Sequence, residues 1–592
     1  MQLKAKLDPS SPAVNAILRS QQESLSRLLN TYLRESGQHF PGYSSSVRPE
    51  LNLKIALPHL QKSIYGSLRH HSAGGHHVFG DSFFTEEHPH AEEISFEALI
   101  ALLLEEVSFA EQDPGSRELK KLELQTLLLN STRRMEDYFR HAGQQPLPVL
   151  DFRTCEQSLL SGHPFHPTPK SLEGFDVPDS RAYSPEYGTA FKLHGFAVSQ
   201  DCVVEDWLAD SSSRADADWI PEQMKAAARS KLPDIYGDYA ILPCHPWQAN
   251  YLLSLKSVQQ LLHSGQLVDL GLTGPEVYPT SSVRTVWSPE QRSFFKLSLH
   301  IRITNFIREN NYEQLRRTLD AARVVQAVRE RYTNEQFQLL LEEGYRTVSP
   351  PDALLHKHDE DLTASFSMIV REAPEACSSS VHPPYVLASL LEVRPGEEEP
   401  LLFRAVREGL PEGSPDWLAW LRQYLQLSML PIVRLYTETG ISLEAHVQNA
   451  MVSLDKGMPA VFYVRDLEGI SVKEAIARGE NWIPHLIGED SPVLYSEAES
   501  RHRLKYYFFV NHLCHLIQRL ACYSGQSELP FWHEVKLSLE QMKRESNHSA
   551  MHNLLDDLLN SDVLPAKANL LSRFHKRGET PLYVYIPNPI KS

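Results

Sequence analysis

A chain of 592 residues is too long to fold around one hydrophobic core, so we expect two or three domains packed into one body. The N-terminal stretch has helical periodicity, with Pro12 at the first helical position after Ser11 and Gly37 beyond the end. Further along, strand and helix patterns alternate. The run EVRPGEEEPLLFRAVREGLPEGSPDW concentrates Pro, Gly and Glu and predicts a boundary, after which the chain is mostly helical apart from one hairpin.

The overall charge limits the partners of this protein. A formal net charge of -17 argues against a general nucleic-acid binder, because clustered Lys and Arg supply most of the affinity for a polyanion. The six cysteines form no C-x-x-C pair, which predicts buried free thiols. No apolar run approaches the roughly 18 residues of a membrane span, and the first residues lack the apolar core of a signal peptide. The sequence therefore predicts a cytoplasmic protein that binds neither nucleic acid nor membrane.

One strand-like segment carries positive charge on a single face. FFKLSLHIRITNFIREN alternates with period two, which places Lys296 and Thr304 on the same side, and Arg308 joins them if the extended run continues. The same pattern is also typical of an ordinary strand that exposes polar residues to water. Just upstream, YPTSSVRTVW is a second β-prone segment that contains Ser282, Arg284 and Thr285. Hydroxyls beside a guanidinium suit phosphate oxygens, so if the two segments pair, they form a cationic patch inside an acidic protein.

A second polar cluster lies around the predicted hairpin. GISLEAHVQNAMVSLDKGMPAVFYVRDLEGISV reads as strand, turn and strand, with DKGMP as the turn. His446 and Gln448 share a face, Asn449 follows them, and Asp466 and Glu468 come after the second strand. An amide and a carboxylate brought together in this way suit Mg²⁺ on nucleotide phosphates. The arrangement resembles the catalytic hairpin of kinase-like phosphotransferases, but the aspartate that serves there as base is missing; a purely structural role in capping the hairpin is the alternative.

Histidines are concentrated in two further stretches. In SGHPFHPTPK, proline follows both His163 and His166, which disfavours a helical zinc pair and predicts an ordered loop that aims both imidazoles and Lys170 at an anion. LPCHPWQ, with His245, is a similar His-Pro loop, and satisfied core histidines are the alternative for both. The His-rich stretch 70–90 fits no tight ligand set and is predicted to be an exposed loop rather than a metal site.

Six segments in this order resemble one family. GHPFHPTPK, LPCHPWQ, SSVRTV, KLSLHIRITNFIREN, EAHVQN and RDLEG are similar to motifs of the IucA/IucC family, the ATP-dependent synthetases that build siderophores independently of nonribosomal peptide synthetases; the C-terminal LPAKANLLSRF and YVYIPNPI also fit. The resemblance implies an α+β fold with three lobes arranged like a cupped hand (thumb, fingers and palm). The implied lobes are a mainly helical N-terminal lobe (1–145), a central sheet-bearing lobe (146–390) and a mostly helical, FhuF-like C-terminal palm lobe with the hairpin (391–592).

The resemblance also implies a reaction. Family members activate a carboxylate, commonly of citrate, by attack on the α-phosphate of ATP, and an amine or hydroxyl then displaces AMP from the acyl adenylate. The implied cofactors are ATP and Mg²⁺. A polycarboxylate and a triphosphate repel one another, so placing them side by side requires several fixed cations and a metal.

Motif positions carry the family's roles onto this chain. The residues implied to hold ATP are His163, Ser282, Arg284, Thr285, Lys296, His446, Gln448, Asn449 and Asp466. The residues implied to serve Mg²⁺ are Asn449, Asp466 and Glu468. The residues implied to bind the carboxylate substrate are His166, Thr304, Arg308, Arg503 and Lys567. The residues expected to carry most of the rate are Arg284, Lys296, Arg308, His446 and His166.

The wording of RITNFIREN, HVQN and RDLEG resembles the branch that attaches a nucleophile to one of citrate's two equivalent primary carboxylates. The sequence leaves the nucleophile open between a polyamine, a hydroxylated diamine and an amino acid. The resemblance further implies a homodimer or a larger homo-oligomer. Two other functions fit parts of the sequence: a kinase-like phosphotransferase, and a non-catalytic protein that binds citrate or iron-citrate.

Overall fold

The N-terminal part combines three helices with a small sheet. A computed structural model of the protein describes residues 12–88, 90–208, 219–350, 361–379, 381–410, 413–578 and 580–591. The elements of this part are α1 (Pro12–Glu35), β1 (Leu53–Leu57), β2 (Lys62–His70), β3 (Val78–Phe84), α2 (Phe96–Ser108) and α3 (Pro114–Gln144). Helix α1 begins at Pro12, and Gly37 adopts a positive φ of 75° beyond its end, as the sequence predicts; Ser11 lies outside the described residues.

The prediction of an exposed loop at 70–90 is wrong. The stretch contributes the end of β2 and the whole of β3, and its His76 and His77 side chains are buried. His76 stacks on His515 with ring centroids 4.9 Å apart. Among the described residues, no group of three or more His, Cys, Asp or Glu side chains is arranged to hold a metal ion.

The central part is built on an antiparallel eight-stranded sheet in the order β6-β14-β15-β10-β9-β8-β5-β7. The strands of the central part, which include those of this sheet, are β4 (Leu172–Glu173), β5 (Phe191–Ser199), β6 (Val203–Trp207), β7 (Tyr239–Cys244), β8 (Leu267–Pro279), β9 (Thr285–Ser288), β10 (Ser293–Leu297), β11 (Leu299–Ile303), β12 (Phe306–Arg308), β13 (Phe337–Leu339), β14 (Glu342–Val348), β15 (Met368–Glu372) and β16 (Tyr385–Val386). Its helices are α4 (Phe152–Glu156), α5 (Val177–Tyr183), α6 (Glu222–Lys231), α7 (Pro246–Ser254), α8 (Lys256–His263), α9 (Tyr312–Tyr332), α10 (Leu362–Phe366) and α11 (Leu387–Leu390).

The C-terminal part is mainly helical. Its helices are α12 (Leu401–Gly409), α13 (Trp417–Leu427), α14 (Met429–Thr439), α15 (Glu474–Gly479), α16 (Trp482–His485), α17 (Glu497–Leu504), the π-helical segment Lys505–Leu513, α18 (Cys514–Ser524), α19 (Leu529–Glu545), α20 (Ser549–Asn560) and α21 (Asn569–Phe574). Its strands are β17 (Ile441–Ser442), β18 (Ala450–Asp455), β19 (Met458–Val464), β20 (Ser471–Lys473), β21 (Leu494–Tyr495), β22 (Val563–Lys567) and β23 (Tyr583–Pro587). The predicted hairpin is β18–β19, but the expectation of no other strands is wrong, since β22 and β23 form a second antiparallel pair.

The largest hydrophobic core joins the central and C-terminal parts. Strands β13 and β16 flank the β18–β19 hairpin in one four-stranded sheet, and a single buried apolar cluster extends from Leu150 to Ile590. The fold is α+β with three lobes. No helix among the described residues has the length and apolar character that crossing a membrane requires. All six cysteines are free, as predicted, and Cys522 is the partly exposed one.

The cationic segment is not one continuous strand, contrary to the extended run considered from sequence. It breaks at Ser298, so that β10 belongs to the eight-stranded sheet whereas β11 belongs to the sheet β12-β11-β4. The chain then turns at Thr304, which has a φ of 57°, and β12 runs back along β11 to place Arg308 opposite Leu299. Strand β9 pairs with β10, with Thr285 opposite Lys296, so the two β-prone segments do come together.

Candidate active site

The site centres on the carboxylate of Asp466, two residues after β19. Lys296 Nζ on β10 lies 2.9 Å from Asp466 Oδ1, and Arg371 Nη2 on β15 lies 3.0 Å from the same oxygen. Lys296 Nζ also donates to Glu468 Oε2 at 2.7 Å. Lys296 and Arg371 are each only 3% exposed, whereas the side chains of Asp466 and Glu468 are 33% and 19% exposed. These ion pairs therefore join the central sheet to the C-terminal hairpin with the cations buried and the carboxylates partly open to solvent.

The charges of Asp466, Lys296 and Arg371 stabilise one another. Burial would raise the pKa of Asp466, but Lys296 and Arg371 outweigh it and hold that pKa well below its ordinary range. Burial likewise opposes ionisation of Lys296, yet Asp466 and Glu468 raise its pKa above the usual lysine value. The cluster is therefore a fixed set of buried cations paired with partly exposed carboxylates, poised to interact with a charged ligand.

Arg284 lies in the tight turn between β8 and β9. Its Nη1 donates to Asn310 Oδ1 at 2.7 Å and to the carbonyl of Glu309 at 3.3 Å. Burial lowers the pKa of Arg284, opposed by Glu468 and Asp466, which places this guanidinium in the same charged cluster. In this turn, Ser282 Oγ lies 3.2 Å from Thr280 Oγ1.

Arg308 and Thr304 form a second cationic point on the β11–β12 hairpin. Arg308 Nη2 donates to Thr304 Oγ1 at 3.1 Å and to the carbonyl of Ile303 at 3.0 Å, whereas its buried Nε has no hydrogen-bond acceptor among the described residues. Burial, and next to it the charge of Arg284, lowers the pKa of Arg308 to about 10. Arg308 therefore carries its charge close to Arg284 and keeps a donor for a ligand.

Three residues beside these charges have left-handed backbones, which β-branched side chains in particular avoid. Val283, Thr304 and Asp466 have φ values of 68°, 57° and 68°. Each such conformation costs about 1–3 kcal/mol and persists only where the surrounding structure enforces it. The strained positions coincide with the residues that present Arg284, Arg308 and the carboxylate between Lys296 and Arg371.

The loop of SGHPFHPTPK presents two neutral imidazoles. Nδ1 of His163 accepts from the backbone N–H of Phe165 at 3.0 Å, and Nδ1 of His166 accepts from that of Thr168 at 3.1 Å. This fixes the proton of each neutral ring on Nε2. Nε2 of His163 lies 2.7 Å from Nδ2 of Asn511. Because Nε2 carries the ring proton, the amide of Asn511 has to be turned over so that its oxygen accepts. Burial lowers the pKa of His166 to about 4, whereas a hydrogen-bonding interaction with the side chain of Asn305 opposes this shift.

The other two residues predicted with this loop do not face the cluster. Lys170 Nζ donates to Glu186 Oε1 at 2.5 Å and to the carbonyl of Leu159 at 2.6 Å, so the prediction that Lys170 aims at an anion is wrong. His245 is fully buried against Phe175, Tyr183 and Phe191, and its Nδ1 caps α7. His245 is therefore a core histidine, the alternative left open by the sequence.

The residues before β18 form a turn rather than a strand. The backbone N–H groups of Gln448 and Asn449 both approach His446 Nδ1, at 3.2 and 3.3 Å, which again leaves the ring proton on Nε2. Gln448 Nε2 donates to Ser281 Oγ at 3.3 Å and so touches the β8–β9 turn. Asn449 Nδ2 donates to the carbonyl of Glu444 at 3.2 Å and thus closes its own turn, while Asp466 and Glu468 meet at Lys296.

Two further cations come from the C-terminal segment. Lys567 Nζ donates to the hydroxyl of Tyr507 at 2.9 Å, and Arg503 Nη2 donates to the carbonyl of Gly469 at 2.6 Å. Burial lowers the pKa of Lys567 to about 8. A side chain at Gly469 would collide with the carboxylate of Glu444. Glycine is therefore required at position 469 for the backbone to pass so close to Glu444.

Sequence reasoning missed three residues of the site. Arg371 was detectable as a charged residue inside the apolar run MIVRE. Tyr507 and Asn511 gave no signal, because the nine-residue π-helical segment that carries them has no sequence pattern of its own. A π-helical insertion in a long helix is frequently found at functional sites, since it re-aims side chains toward a ligand.

This arrangement is suited to holding two polyanions. The neutral imidazoles supply N–H donors. Positive charge comes from Arg284, Lys296, Arg308, Arg371 and Lys567. Asp466 and Glu468 are hard carboxylate ligands of the kind that Mg²⁺ prefers. Mg²⁺ on nucleotide phosphates usually takes only one or two carboxylates and completes its shell with water and phosphate oxygens, so two carboxylates fit it.

Comparisons with known proteins agree with this chemistry. The model of the IucA/IucC family matches residues 151–392, and that of a ferric iron reductase FhuF-like transporter family matches residues 418–582. An L-2,3-diaminopropanoate–citrate ligase of Staphylococcus aureus is 36% identical over 96% of this chain and 95% of its own length. The rhizobactin siderophore biosynthesis protein RhbC of Rhizobium meliloti is 30% identical over 96% of this chain and 97% of its own length.

Solved structures share the fold. The ATP-bound aerobactin synthetase IucA of Klebsiella pneumoniae superposes with a TM-score of 0.81, at 22% identity, over 96% of this chain and 99% of that one. The petrobactin biosynthesis protein AsbB of Bacillus anthracis gives a TM-score of 0.78, at 19% identity, over 98% of this chain and 96% of that one.

Proposed function

This chain belongs to the IucA/IucC family, and from that premise we propose how its charged site performs the family's reaction. The protein is an ATP-dependent ligase of siderophore biosynthesis that joins citrate to an amine. A carboxylate oxygen of citrate attacks the α-phosphorus of ATP, and the bond to pyrophosphate breaks. The amine nitrogen then forms a bond with the acyl carbon, AMP leaves with the electron pair of the acyl–oxygen bond, and the amine loses a proton.

The observation that carries this proposal is the buried cationic cluster in a protein of net charge -17. Citrate and ATP are both polyanions, so bringing them into contact is electrostatically unfavourable unless fixed cations lie between them. Lys296 and Arg371 are held by Asp466, and Arg284 and Arg308 lie within the influence of the same carboxylate. Because these charges are preorganised by the fold, little reorganisation is needed when charge develops in the transition state.

We assign the triphosphate to the side of the site formed by the β8–β9 turn and the turn that precedes β18. Arg284 and Lys296 would bind phosphate oxygens, the hydroxyls of Ser282 and Thr285 would donate to them, and the Nε2–H of His446 would point at them. Gln448 already links the two turns through Ser281, which fixes their separation. His163, held by Asn511, would close over the nucleotide from the opening loop.

Magnesium, when bound, neutralises phosphate charge and polarises the α-phosphate. Asp466 and Glu468 would hold it, with Asn449 contributing to the metal or the ribose. Lys296 engages both carboxylates. We expect phosphate to compete for this ammonium group, which would release carboxylate oxygens in the same place.

We assign citrate to His166, Thr304 and Arg308, with Lys567 and Arg503 reaching in from the C-terminal segment. The Nε–H of Arg308 is a buried donor without an acceptor among the described residues, and a carboxylate would satisfy it. His166, which has Asn305 beside it, would turn its Nε2–H to the same carboxylate. Free citrate, rather than an already substituted citrate, is the substrate we propose. Comparing citrate with a citryl monoamide tests this choice.

One assay separates the ligase from the other two functions. Purified protein with ATP, Mg²⁺, citrate and hydroxylamine should release AMP and pyrophosphate and form citryl hydroxamate. A phosphotransferase would release ADP, and a non-catalytic binding protein would release neither nucleotide. Absence of citrate-dependent pyrophosphate release would refute the ligase.

A further inference from the structure

A cavity to which we have assigned no role so far lies beside the residues proposed to bind citrate. It encloses about 240 Å³ where α3, β4, the β11–β12 hairpin and α21 meet. This is below the roughly 300–1,000 Å³ of pockets for drug-sized ligands, so a short molecule fits. Its charged lining residues are Glu123, Glu173, Arg302, Arg573, Lys576 and Arg577.

The cavity shares a wall with the proposed citrate site. Asn305 lines the cavity and lies in the hairpin turn directly after Thr304, and Arg302 Nη1 donates to its carbonyl at 3.2 Å. On the other side of this wall is His166, which is within the electrostatic reach of both Arg573 and Arg308. A molecule in the cavity is therefore adjacent to the residues proposed to bind citrate.

The charges of the lining are unequal. Among the described residues, four cationic side chains face two carboxylates. The pairs of Arg302 with Glu173 and of Arg573 with Glu123 are long, at 3.5 and 3.4 Å, while Lys576 Nζ lies 2.5 Å from the second oxygen of Glu123. Arg573 is only 8% exposed, and its Nε is buried without an acceptor among the described residues. A carboxylate or carbonyl group of a ligand would satisfy such a donor.

We propose that this cavity binds the amine nucleophile and that the nucleophile is a short diamino acid that keeps a free carboxylate. The inference rests on the proposed function. Arg302 and Arg573 bind the α-carboxylate, and Glu123 and Glu173 bind the α-ammonium group. The second amine, in its neutral form, points past Asn305 toward the acyl adenylate. A polyamine carries only positive charge and meets an excess of cations here, so the cavity selects against it.

Matched substrate pairs test the proposal. L-2,3-diaminopropanoate is compared with 1,2-diaminoethane, and L-ornithine with 1,4-diaminobutane, because each diamine is the amino acid without its carboxylate; spermidine is added as a polyamine. We expect kcat/KM to be about tenfold or more higher for the amino acid of at least one pair than for its diamine and for spermidine, because a site built for a carboxylate loses its partner in the analogue.

A charge-reversal variant tests the residues. Arg302→Glu should lower the ratio of kcat/KM for amino acid over diamine at least about tenfold. Because both substrates are measured on one preparation, the ratio is insensitive to any loss of folded enzyme. Lys576→Glu, which is exposed, provides a second reversal in the same direction. Arg69→Glu is the control, since Arg69 is an exposed arginine on β2 that pairs with exposed Asp81, and its ratio should match that of the unaltered enzyme.

The outcomes separate this inference from the function on which it rests. If citrate and ATP give no hydroxamate with hydroxylamine, both fail. If hydroxamate forms but the diamines or spermidine are preferred, or if both reversals leave the ratio unchanged, the ligase stands and the nucleophile cavity is refuted.

Discussion

We expect Lys567 to determine the pH dependence of citrate use. Burial lowers the pKa of this lysine to about 8, from 10.5. At that pKa the ammonium form falls from roughly nine-tenths of the protein at pH 7 to roughly one-tenth at pH 9. Citrate and ATP are already mostly ionised at pH 7 and gain little further charge by pH 9, so Lys567 is the group at the proposed citrate site that we expect to lose its charge.

We therefore expect kcat/KM for citrate to fall about tenfold between pH 7 and pH 9. Citrate-dependent exchange of pyrophosphate into ATP is the appropriate assay, because it omits the nucleophile, whose amine also titrates. Lys567→Arg keeps its charge at every accessible pH and should give a flat profile. Lys62→Arg, on the exposed part of β2, is the matched control and should reproduce the unaltered profile.

The sign of the stability effect is opposite to that of the activity effect. The folded protein releases the Lys567 proton near pH 8, whereas the unfolded chain keeps it to about pH 10.5. The unfolded chain binds more protons between these values, so stability rises with pH across this window.

A flat pH profile of kcat/KM for citrate in the unaltered enzyme, or a fall in kcat/KM that persists in Lys567→Arg, would refute the reasoning about citrate use.

Three further substitutions test separate parts of the site. Arg308→Gln should lower kcat/KM for citrate roughly 10²–10³-fold, because one preorganised donor is removed, and should raise KM for ATP far less; equal losses for both substrates would contradict its assignment to citrate. Lys296→Met should lower the free energy of unfolding in urea by about 3 kcal/mol, because Glu468 loses its buried partner, and adding Glu468→Gln should recover part of that loss; simple additivity would show that the pair is not coupled. Tyr507→Phe removes the acceptor of Lys567 and should raise KM for citrate roughly two- to tenfold, whereas an unchanged KM would show that this contact does not support binding.

The cationic segment shows how far local sequence reasoning reaches. Alternation predicted strands and a shared direction for Lys296, Thr304 and Arg308. The break at Ser298 and the turn at Thr304 were not predictable, because they depend on which sheet each half of the segment joins. Arg308 nevertheless reaches the cluster, since the hairpin returns it beside the start of β11.

The two His-Pro loops show a second limit. Proline after each histidine correctly excluded a helical metal pair, but both loops read alike. In the structure His166 lies among Asn305, Arg308 and Arg573, while His245 is enclosed by aromatic rings. The predicted direction of the Lys170 side chain was wrong for the same reason. Its buried partner, Glu186, lies on another segment, and no residue near Lys170 in the sequence indicates this pairing.

The sequence by itself determined the charged and hydroxyl residues available, the β18–β19 hairpin with its turn, the helix starts and the family. These follow from patterns within a few residues of one another and from ordered motifs. Only the tertiary structure decided that Lys296 meets Asp466, 170 positions away, and that Arg371 shares the same carboxylate. It also decided that a cationic cavity opens next to the residues proposed to bind citrate. Such contacts are set by how distant segments pack, and local pattern carries no information about their distance or direction.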